Sequence, residues 1–526
     1  MKFQLKKTLR LEIACAFLLA CATPLHAQTV TAPPEPTVNV TRYVIEGDMP
    51  LSAADVEKIV APFLGTARTL SQIESAARAL EDEVRSRGYA FHRVYVPAQK
   101  PANGVIKLQA MAFTLGKIDI TGNEYFTREN IERGLPSLVV GQAPQVERLG
   151  RDVSASNANP AKQVAVTFRE ASTPGKIDAV VRVQDVKPLS FYATVTANEY
   201  GGGGGPHNPI WRVGGILQHG NMFDLDHVMT LSYTTDPNRS SSVGLYGAYY
   251  QIPIYGMGTT LSGFYTKSDV KSGLVAQGTG TFNISGSGRF QGLRLTQALD
   301  RWKNLQHSIA VSYEDRLFVN STTFNGIPIL PDVGSHTLGA QYAFRTELLG
   351  TDVSGTVDYV ANIGGGAANT DAAYLANGGV RKWDAWRFAV SASYPLSSWS
   401  LAARLKGQYA KKILIAGEQF GLGGASTVCG FPDRVVTGDT GLSYSLEATG
   451  PAFTSWEIRP AVFTDGGRVY ARGTGRTENL ASVGVGLRMG SPVYQLAVDI
   501  AQVINPATVS PSNHPVRLNM NLTYRF

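Results

Sequence analysis

The chain has few cysteines and, after its N-terminus, no long apolar segment. Its 526 residues include only Cys15, Cys21 and Cys429. The first two lie in a predicted leader, so we expect the mature chain to have no internal disulfide. Crossing a bilayer as a helix takes about 20 apolar residues. If the mature chain crosses a membrane, we therefore expect it to do so as a closed barrel.

The chain also has a small net charge and no pattern of residues typical of a catalytic, metal or nucleotide site. The formal charge is +7, and removing the leader would leave roughly +4, spread along the chain, which gives no reason to expect a nucleic-acid partner. The eight histidines and the carboxylates show no metal-ligand or triad spacing. No Walker glycine loop precedes a Lys-Ser/Thr pair. We therefore expect no cofactor, metal, enzymatic activity or nucleotide hydrolysis.

Residues 1–27 have the layout of a secretory signal peptide. A basic start is followed by an apolar stretch from Leu11 to Ala22, broken only by Glu12, and by a cleavage site at Leu25-His26-Ala27. The stretch is too short for a membrane anchor. The alternative is a lipoprotein processing site at Leu18-Leu19-Ala20-Cys21, which the leucine before Ala20 fits poorly.

The C-terminal segment alternates strictly between apolar and polar residues. Its apolar positions are every second residue from Val516 to Phe526, and Tyr524 is among them. A period of two places the apolar side chains on one face of a strand. An exported chain that ends on an aromatic residue favours a barrel wall over the alternative, a soluble sandwich strand. Such an ending resembles the signal by which the barrel-assembly machinery recognises outer-membrane proteins.

Two modules with one element order precede the barrel region. After a Pro-rich linker at 28–37, residues 38–114 and 115–187 each read as βααββ, an internal repeat. In the first module the predicted strands are 41–46, 91–97 and 105–112, and the predicted helices are 52–62, with an N-cap at Ser52, and 70–87. In the second module the predicted strands are 117–121, 163–168 and 177–183, and the predicted helices are 127–133 and 144–158.

From Pro188 onward, segments in which apolar and polar residues alternate recur between Gly- and Asn-rich turns. Examples are residues 189–198, 386–394 and 399–409. Roughly 340 residues at about 20 per strand and connection give 16 or 17 strands, and single-chain bacterial barrels prefer even numbers. We therefore predict a transmembrane β-barrel of 16 antiparallel strands over residues 188–526.

Specific motifs in both regions resemble those of the two-partner secretion transporters. Arg87-Gly88-Tyr89 and Asn159-Pro160 are similar to the family's signatures in its two POTRA (polypeptide-transport-associated) domains. The segment about 416–438 is similar to its inward-folded barrel loop, and 463–467 to its Phe-x-Asp-x-Gly wall motif. The matching loop positions are Gly423, Gly424, Val428, Cys429, Gly430 and Phe431, and the matching wall positions are Phe463, Asp465 and Gly467.

The family includes the filamentous haemagglutinin transporter and the haemolysin activators, within the outer-membrane insertase superfamily. The resemblance implies two periplasmic POTRA domains before a 16-stranded outer-membrane barrel. It also implies a secreted exoprotein as substrate. Outer-membrane lipid and the barrel-assembly machinery are further expected partners, and periplasmic chaperones are another partner class.

The loop motif departs from the family at one position. An Arg, which in the family reaches the wall Asp, is replaced here by Cys429. A thiol cannot form that charge-assisted pair, so our hypothesis is that Arg434 or Arg468 supplies the cation for Asp465. We expect Cys429 itself to be a small filler, because no nearby His provides a base for a redox or nucleophilic role.

The first module offers a candidate docking surface for the exoprotein. Exposed strand edges can accept a partner's strand through backbone hydrogen bonds. We expect Phe91, Val94, Val96 and Gln99 to border this surface. Ile73 and Leu80 on the long helix lie beside this surface, but we expect their apolar side chains to be buried in the core.

Two functional alternatives stay open. An insertase that folds other barrels shares the superfamily motifs but usually has more periplasmic modules. A passive porin or uptake receptor leaves both modules unexplained. Residues 28–37 are too short and Pro-rich for the pore-plugging helix of many family members, so we expect no plug helix.

Overall fold

The computed structural model divides the chain into two compact units. One comprises Met1–Glu83 with Arg93–Ala110, and the other Val84–His92 with Met111–Phe526. The predicted leader, residues 1–27, lies outside the described residues. So does most of the linker 28–37, for which we expect no plug helix. The structure describes residues 36–200, 208–238, 240, 244–269, 272–277, 280–285, 287–320, 323–324, 327–328, 330–453, 457–508 and 516–526.

The first module contains the predicted elements and two further strands. Ser52 caps the first helix by accepting a hydrogen bond from the Asp55 amide at 3.2 Å, as its sequence position predicts. A parallel pair, β2 and β5, forms a sheet with β4, while β1 pairs with β3. The elements are β1 Thr37–Val40, β2 Arg42–Gly47, α1 Ala53–Val60, a 3-10 turn Ala61–Phe63, β3 Gly65–Thr69, α2 Leu70–Ser86, β4 His92–Tyr95 and β5 Val105–Ala112.

The second module repeats this order in a more compact form. Strand β6 runs parallel to β8, and β7 pairs antiparallel with β8. Its core is apolar, with Leu115, Ile131, Ala179 and Val181 fully buried. The elements are β6 Thr114–Thr121, α3 Arg128–Arg133, α4 Val146–Ser156, β7 Lys162–Glu170 and β8 Lys176–Asp185.

Sixteen antiparallel strands close into a barrel, which confirms the predicted number. Closure pairs the first strand with the last, from Tyr192 opposite Arg525 to Asn198 opposite Asn519. The strands are β9 Leu189–Tyr200, β10 Asn208–Met222, β11 His227–Thr235, β12 Gly244–Ile254, β13 Thr259–Ser268, β16 Gly288–Ala298, β17 Gln306–Phe318, β20 Val333–Leu348, β21 Thr351–Asn362, β22 Asp384–Leu396, β23 Trp399–Ala410, β26 Thr440–Thr449, β27 Arg459–Ala471, β28 Arg476–Gly490, β29 Tyr494–Asn505 and β30 Val516–Arg525.

Shorter elements lie in the connections at one end of the barrel. The opposite end has mostly tight turns, as single-chain outer-membrane barrels do on the periplasmic side. Among the described residues, no helix is long and apolar enough to cross a membrane. The short elements are the hairpins β14 Ser272–Gln277 with β15 Gly280–Ser285, β18 Thr323–Phe324 with β19 Ile327–Pro328, and β24 Phe420–Leu422 with β25 Val436–Gly438, and the helix α5 Asp371–Ala376.

The last strand shows the alternation that the sequence predicts. Leu518 and Tyr524 are exposed on the outer face, whereas Arg517 and Asn519 are buried toward the inside. Phe526 donates its amide to the Phe191 carbonyl at 2.9 Å. An apolar exterior and a polar interior are what a lipid-facing barrel requires.

A buried ion pair joins the second module to the barrel. The Lys162 ammonium lies 2.6 Å from the Asp226 carboxylate in the turn between β10 and β11, and both side chains are almost fully enclosed. Lys162 also donates to Asn130, and Asp226 accepts from Asn159 and Tyr255. Burial lowers the pKa of Lys162 although Asp226 opposes that shift. The complete set of partners compensates the cost of burying both charges.

Replacing Lys162 with Gln should therefore destabilise this junction by about 3–5 kcal/mol, because Asp226 would stay buried without its cation. The measurement is the free energy of urea unfolding of the detergent-folded protein. Lys117→Gln is the matched control, since Lys117 pairs with Asp119 at 3.0 Å on an exposed surface, and its loss should change the free energy of unfolding far less than the loss of Lys162. Equal losses in both variants would contradict the assigned role of Lys162.

Candidate functional site

The connection between β23 and β26, residues 411–439, folds into the barrel lumen; we call it the pore loop. Its hairpin β24–β25 packs on inward-facing wall residues, and a Cβ on wall Gly467 would lie 2.7 Å from Leu422. The loop therefore has an apolar core shared with the wall. The residues of that core are Leu422, Val428, Phe431, Val436, Val469, Leu480 and Ala507.

Two glycines make the turn into the loop tip, residues 427–431. Gly423 and Gly424 have φ values of 109° and 88°, which favour glycine. A Cβ on Gly423 would lie 2.1 Å from the Pro432 carbonyl oxygen, so the backbones approach too closely for any side chain. The Thr427 hydroxyl closes the turn by bonding the Gly423 amide and carbonyl, each at 2.9 Å.

The loop tip and the wall motif lie together, and neutral backbone contacts join them. The Cys429 amide donates to the Asp465 carboxylate at 3.3 Å. The Gly430 amide donates to the Ser482 hydroxyl at 3.4 Å, and the Asn519 side-chain amide donates to the Cys429 carbonyl at 3.1 Å. The sequence-predicted proximity of the two motifs is thus present, but without a charge pair.

Neither arginine that we expected to replace the family's Arg reaches Asp465. Arg434 instead donates to the carbonyls of Ala416 at 2.9 Å and Gln419 at 3.1 Å. Arg468 is three residues from Asp465 on one strand, so it points to the opposite, exposed face. The hypothesis of a substitute cation from Arg434 or Arg468 is wrong.

A small polar pocket lies beside the tip. Of the cations that line it, Arg404, Lys406 and Arg488, the last is bound to Glu447 at 2.8 Å and to Asp499 at 2.6 Å, all on the wall. No cluster of His, Cys, Asp or Glu suited to a metal occurs in the described part of the chain. The lining residues are Arg404, Lys406, Ala425, Ser426, Thr427, Cys429, Ser443, Tyr444, Ser445, Glu447, Phe463, Asp465, Arg488 and Asp499.

The Cys429 thiol is poorly placed for reaction. Burial raises its pKa well above the usual range, and the Asp465 carboxylate raises it further. The thiol therefore stays protonated near neutral pH, and a protonated thiol is a weak nucleophile. These features support a packing role for Cys429 in the pore loop.

The start of the pore loop carries a buried carboxylate that the sequence motif included without a role. Glu418 accepts hydrogen bonds from Arg316 on β17 and from Arg387 on β22, each at 2.8 Å. Burial alone would raise the pKa of Glu418, but the two arginines hold it below its usual value. Arg316 and Arg387 lie 102 and 31 residues from Glu418, so no local spacing could identify them.

The expected docking residues divide between core and surface. Phe91 packs against Phe168 with ring centroids 4.6 Å apart, and Val96 is half-buried. Val94 is buried, so its assignment to an exposed surface is corrected: it faces the core, as alternation from exposed Tyr95 requires. Gln99 bonds the backbone amide and carbonyl of Lys107. As expected for core residues, Ile73 and Leu80 are buried.

Replacing Asp465 with Asn should make the Cys429 thiol more reactive, because removing the carboxylate lowers the thiol pKa. The midpoint of the maleimide rate against pH should move to lower pH, and a fall of one pKa unit would raise the rate about tenfold below that midpoint. Mass spectrometry of the peptide that contains Cys429 gives the rate.

Asp499→Asn is the control for this measurement, since Asp499 acts on the thiol more weakly than Asp465. It should move the midpoint less. An Asp465→Asn midpoint no lower than that of the control would show that the Asp465 carboxylate does not face the thiol.

Comparisons with known proteins agree with this architecture. The chain is 22% identical over 487 residues to the outer membrane transporter CdiB of Dickeya dadantii (strain 3937), which covers 90% of this chain and 84% of that protein. The structure of CdiB from Escherichia coli aligns with a TM-score of 0.75 at 17% identity, over 96% of this chain and 93% of that one. BamA from Haemophilus ducreyi lacking POTRA domains 1–3 aligns with a TM-score of 0.50 at 13% identity, over 93% and 100%.

Family descriptions match both parts of the chain. Residues 38–112 match the POTRA domain, ShlB-type. Residues 175–489, more than half of the chain, match the haemolysin secretion/activation protein ShlB/FhaC/HecB. The chain therefore belongs to the ShlB/FhaC/HecB family of haemolysin secretion/activation proteins, the outer-membrane transporters of two-partner secretion.

Proposed function

We propose that this protein binds an unfolded exoprotein at its periplasmic POTRA domains and exports it through the barrel without hydrolysing nucleotide. The observation that carries the proposal is the pore loop. It fills a closed, polar-lined barrel and is held there by side chains on separate strands. A channel closed by a segment of its own chain can open without losing the barrel's backbone pairing.

The contacts at the loop tip suit reversible displacement. Three hydrogen bonds of 3.1–3.4 Å join residues 429–430 to the wall. A typical hydrogen bond contributes only about 0.5–1.5 kcal/mol net. Among the described residues no ion pair holds the tip, so its displacement requires only the loss of these hydrogen bonds and the exposure of Val428 and Phe431.

The first module offers an edge for the incoming chain. Strand β4 lies at the end of the order β2-β5-β4, with Arg93 and Tyr95 exposed. An extended exoprotein segment can add to this edge by backbone hydrogen bonds. Phe91, Val96 and Gln99 remain in the proposed docking surface, and Tyr95 takes the place of buried Val94.

The energy for export then comes from outside the chain. The sequence contains no Walker motif, and folding of the exoprotein beyond the membrane would prevent its return. An insertase role is the competing function, since the barrel also aligns with BamA. A passive porin does not account for the two periplasmic modules.

Deleting the gene should remove one large protein from the culture supernatant and leave the other outer-membrane barrels unchanged. Quantitative proteomics of both fractions is the measurement, and re-expression of the intact gene is the control. Broad loss of barrels from the membrane fraction would overturn the proposal in favour of the insertase. Unchanged supernatant and membrane fractions would also contradict it.

A further inference from the structure

A fully buried charge lies at the start of the pore loop, away from the tip motif. The Glu418 side chain has 0% exposure, and the Arg316 and Arg387 side chains have 11% and 26%. The two arginines come from separate barrel strands, so a single loop carboxylate bridges two parts of the wall. Paired, charge-assisted hydrogen bonds of this kind are both strong and directional.

The neighbouring contacts fix the same stretch of loop. Gly417 lies against the wall, where a Cβ would be 2.2 Å from the Phe318 ring. The Gln408 side chain donates to the Glu418 carbonyl at 3.0 Å. Residue 418 is therefore held through its side chain and its backbone.

A second loop, residues 363–383, covers this region. The Val380 amide donates to the Ile413 carbonyl at 2.9 Å, and Ile415 and Tyr374 are fully buried in one apolar cluster. The Tyr374 hydroxyl bonds Ser335 on the wall at 2.7 Å. The stretch 413–418 thus lies between the barrel wall and this covering loop.

The tip is also packed on the wall, through the buried Val428 and Phe431 side chains, but it differs from the start of the loop in charge. It contacts the wall through neutral backbone groups, and Cys429 brings no charge to Asp465. Removing one member of a buried charge pair is far more disruptive than losing an exposed contact. The pore loop therefore has one end held by buried charge pairs and one end held by apolar packing and neutral hydrogen bonds.

We propose that Glu418 is the positioning residue of the pore loop, anchoring residues 413–418 to Arg316 and Arg387 while the tip moves alone. The proposal rests on the export function, because it assigns the moving part of the pore. The family motif implies an Arg on the loop and a carboxylate on the wall. In the pair proposed here the carboxylate, Glu418, is on the loop and the two arginines are on the wall.

The test compares Glu418→Gln with Glu314→Gln in the full-length protein. Glu314 binds the same Arg316 at 2.6 Å but lies on the wall, so its loss leaves the loop contact with Arg387 intact. The readouts are the maleimide rate at Cys429 by mass spectrometry and the opening frequency in planar bilayers. Neither readout needs the exoprotein, so the inference and the export function can fail separately.

Glu418→Gln should raise the Cys429 rate about tenfold or more and increase opening, since a buried pair is broken at the loop. Greater exposure also removes part of the burial that raises the Cys429 pKa, so the midpoint of the maleimide rate against pH should move to lower pH. Glu314→Gln should change the rate much less, because Glu314 lies on the wall and both arginines can still bind Glu418. Glu418→Gln and Glu314→Gln giving the same rate and opening would overturn the proposal.

Arg387→Gln covers the case in which Glu418→Gln does not fold, as judged by heat-modifiable migration. It keeps the Arg316 contact, and it should raise the Cys429 rate by a smaller factor in the same direction. A folded Arg387→Gln with wild-type labelling and conductance would equally overturn the anchoring role of Glu418.

Discussion

The constraint on which this structure depends is that lipid offers no hydrogen-bond partners to the backbone. Every N–H and C=O at membrane depth must be paired within the protein, so the sheet has to close. Here closure joins β9 to β30 over residues 192–198 and 519–525. The strict alternation before Phe526 follows from the same constraint, because each strand has one lipid-facing side and one lumenal side.

A barrel of 16 strands is wide enough to leave a channel. A transporter of this kind therefore needs a segment that closes the channel and can be displaced. The pore loop supplies it, and charges on the inner wall hold it. Glu418 binds two arginines, whereas the tip near Asp465 is held by backbone amides and by the buried Val428 and Phe431 side chains. The uneven strength of these contacts links the packing of the lumen to the export function.

The fold was largely predictable from sequence, since period-two alternation and a repeated βααββ order are local patterns. The pairing of β1 with β3 was missed because Gly65–Thr69 reads as a loop before a helix. The site was predictable only where motifs are contiguous: the tip and Asp465 meet as expected. The contacts of Glu418 depend on arginines of separate barrel strands, and those of Arg434 on the folding of the pore loop, which no single-sequence spacing encodes. Val94 was misplaced because an edge strand also has a buried face.

The central claim is that the tip of the pore loop must leave the wall during export. The most direct test is Asp465→Cys, which places a second thiol beside Cys429, whose amide lies 3.3 Å from the Asp465 carboxylate. With the disulfide formed, as shown by mass spectrometry, secretion of the exoprotein should stop and then resume on reduction. Asp465→Ser under the same oxidant should continue to secrete. Undiminished secretion by fully crosslinked Asp465→Cys protein would contradict the account.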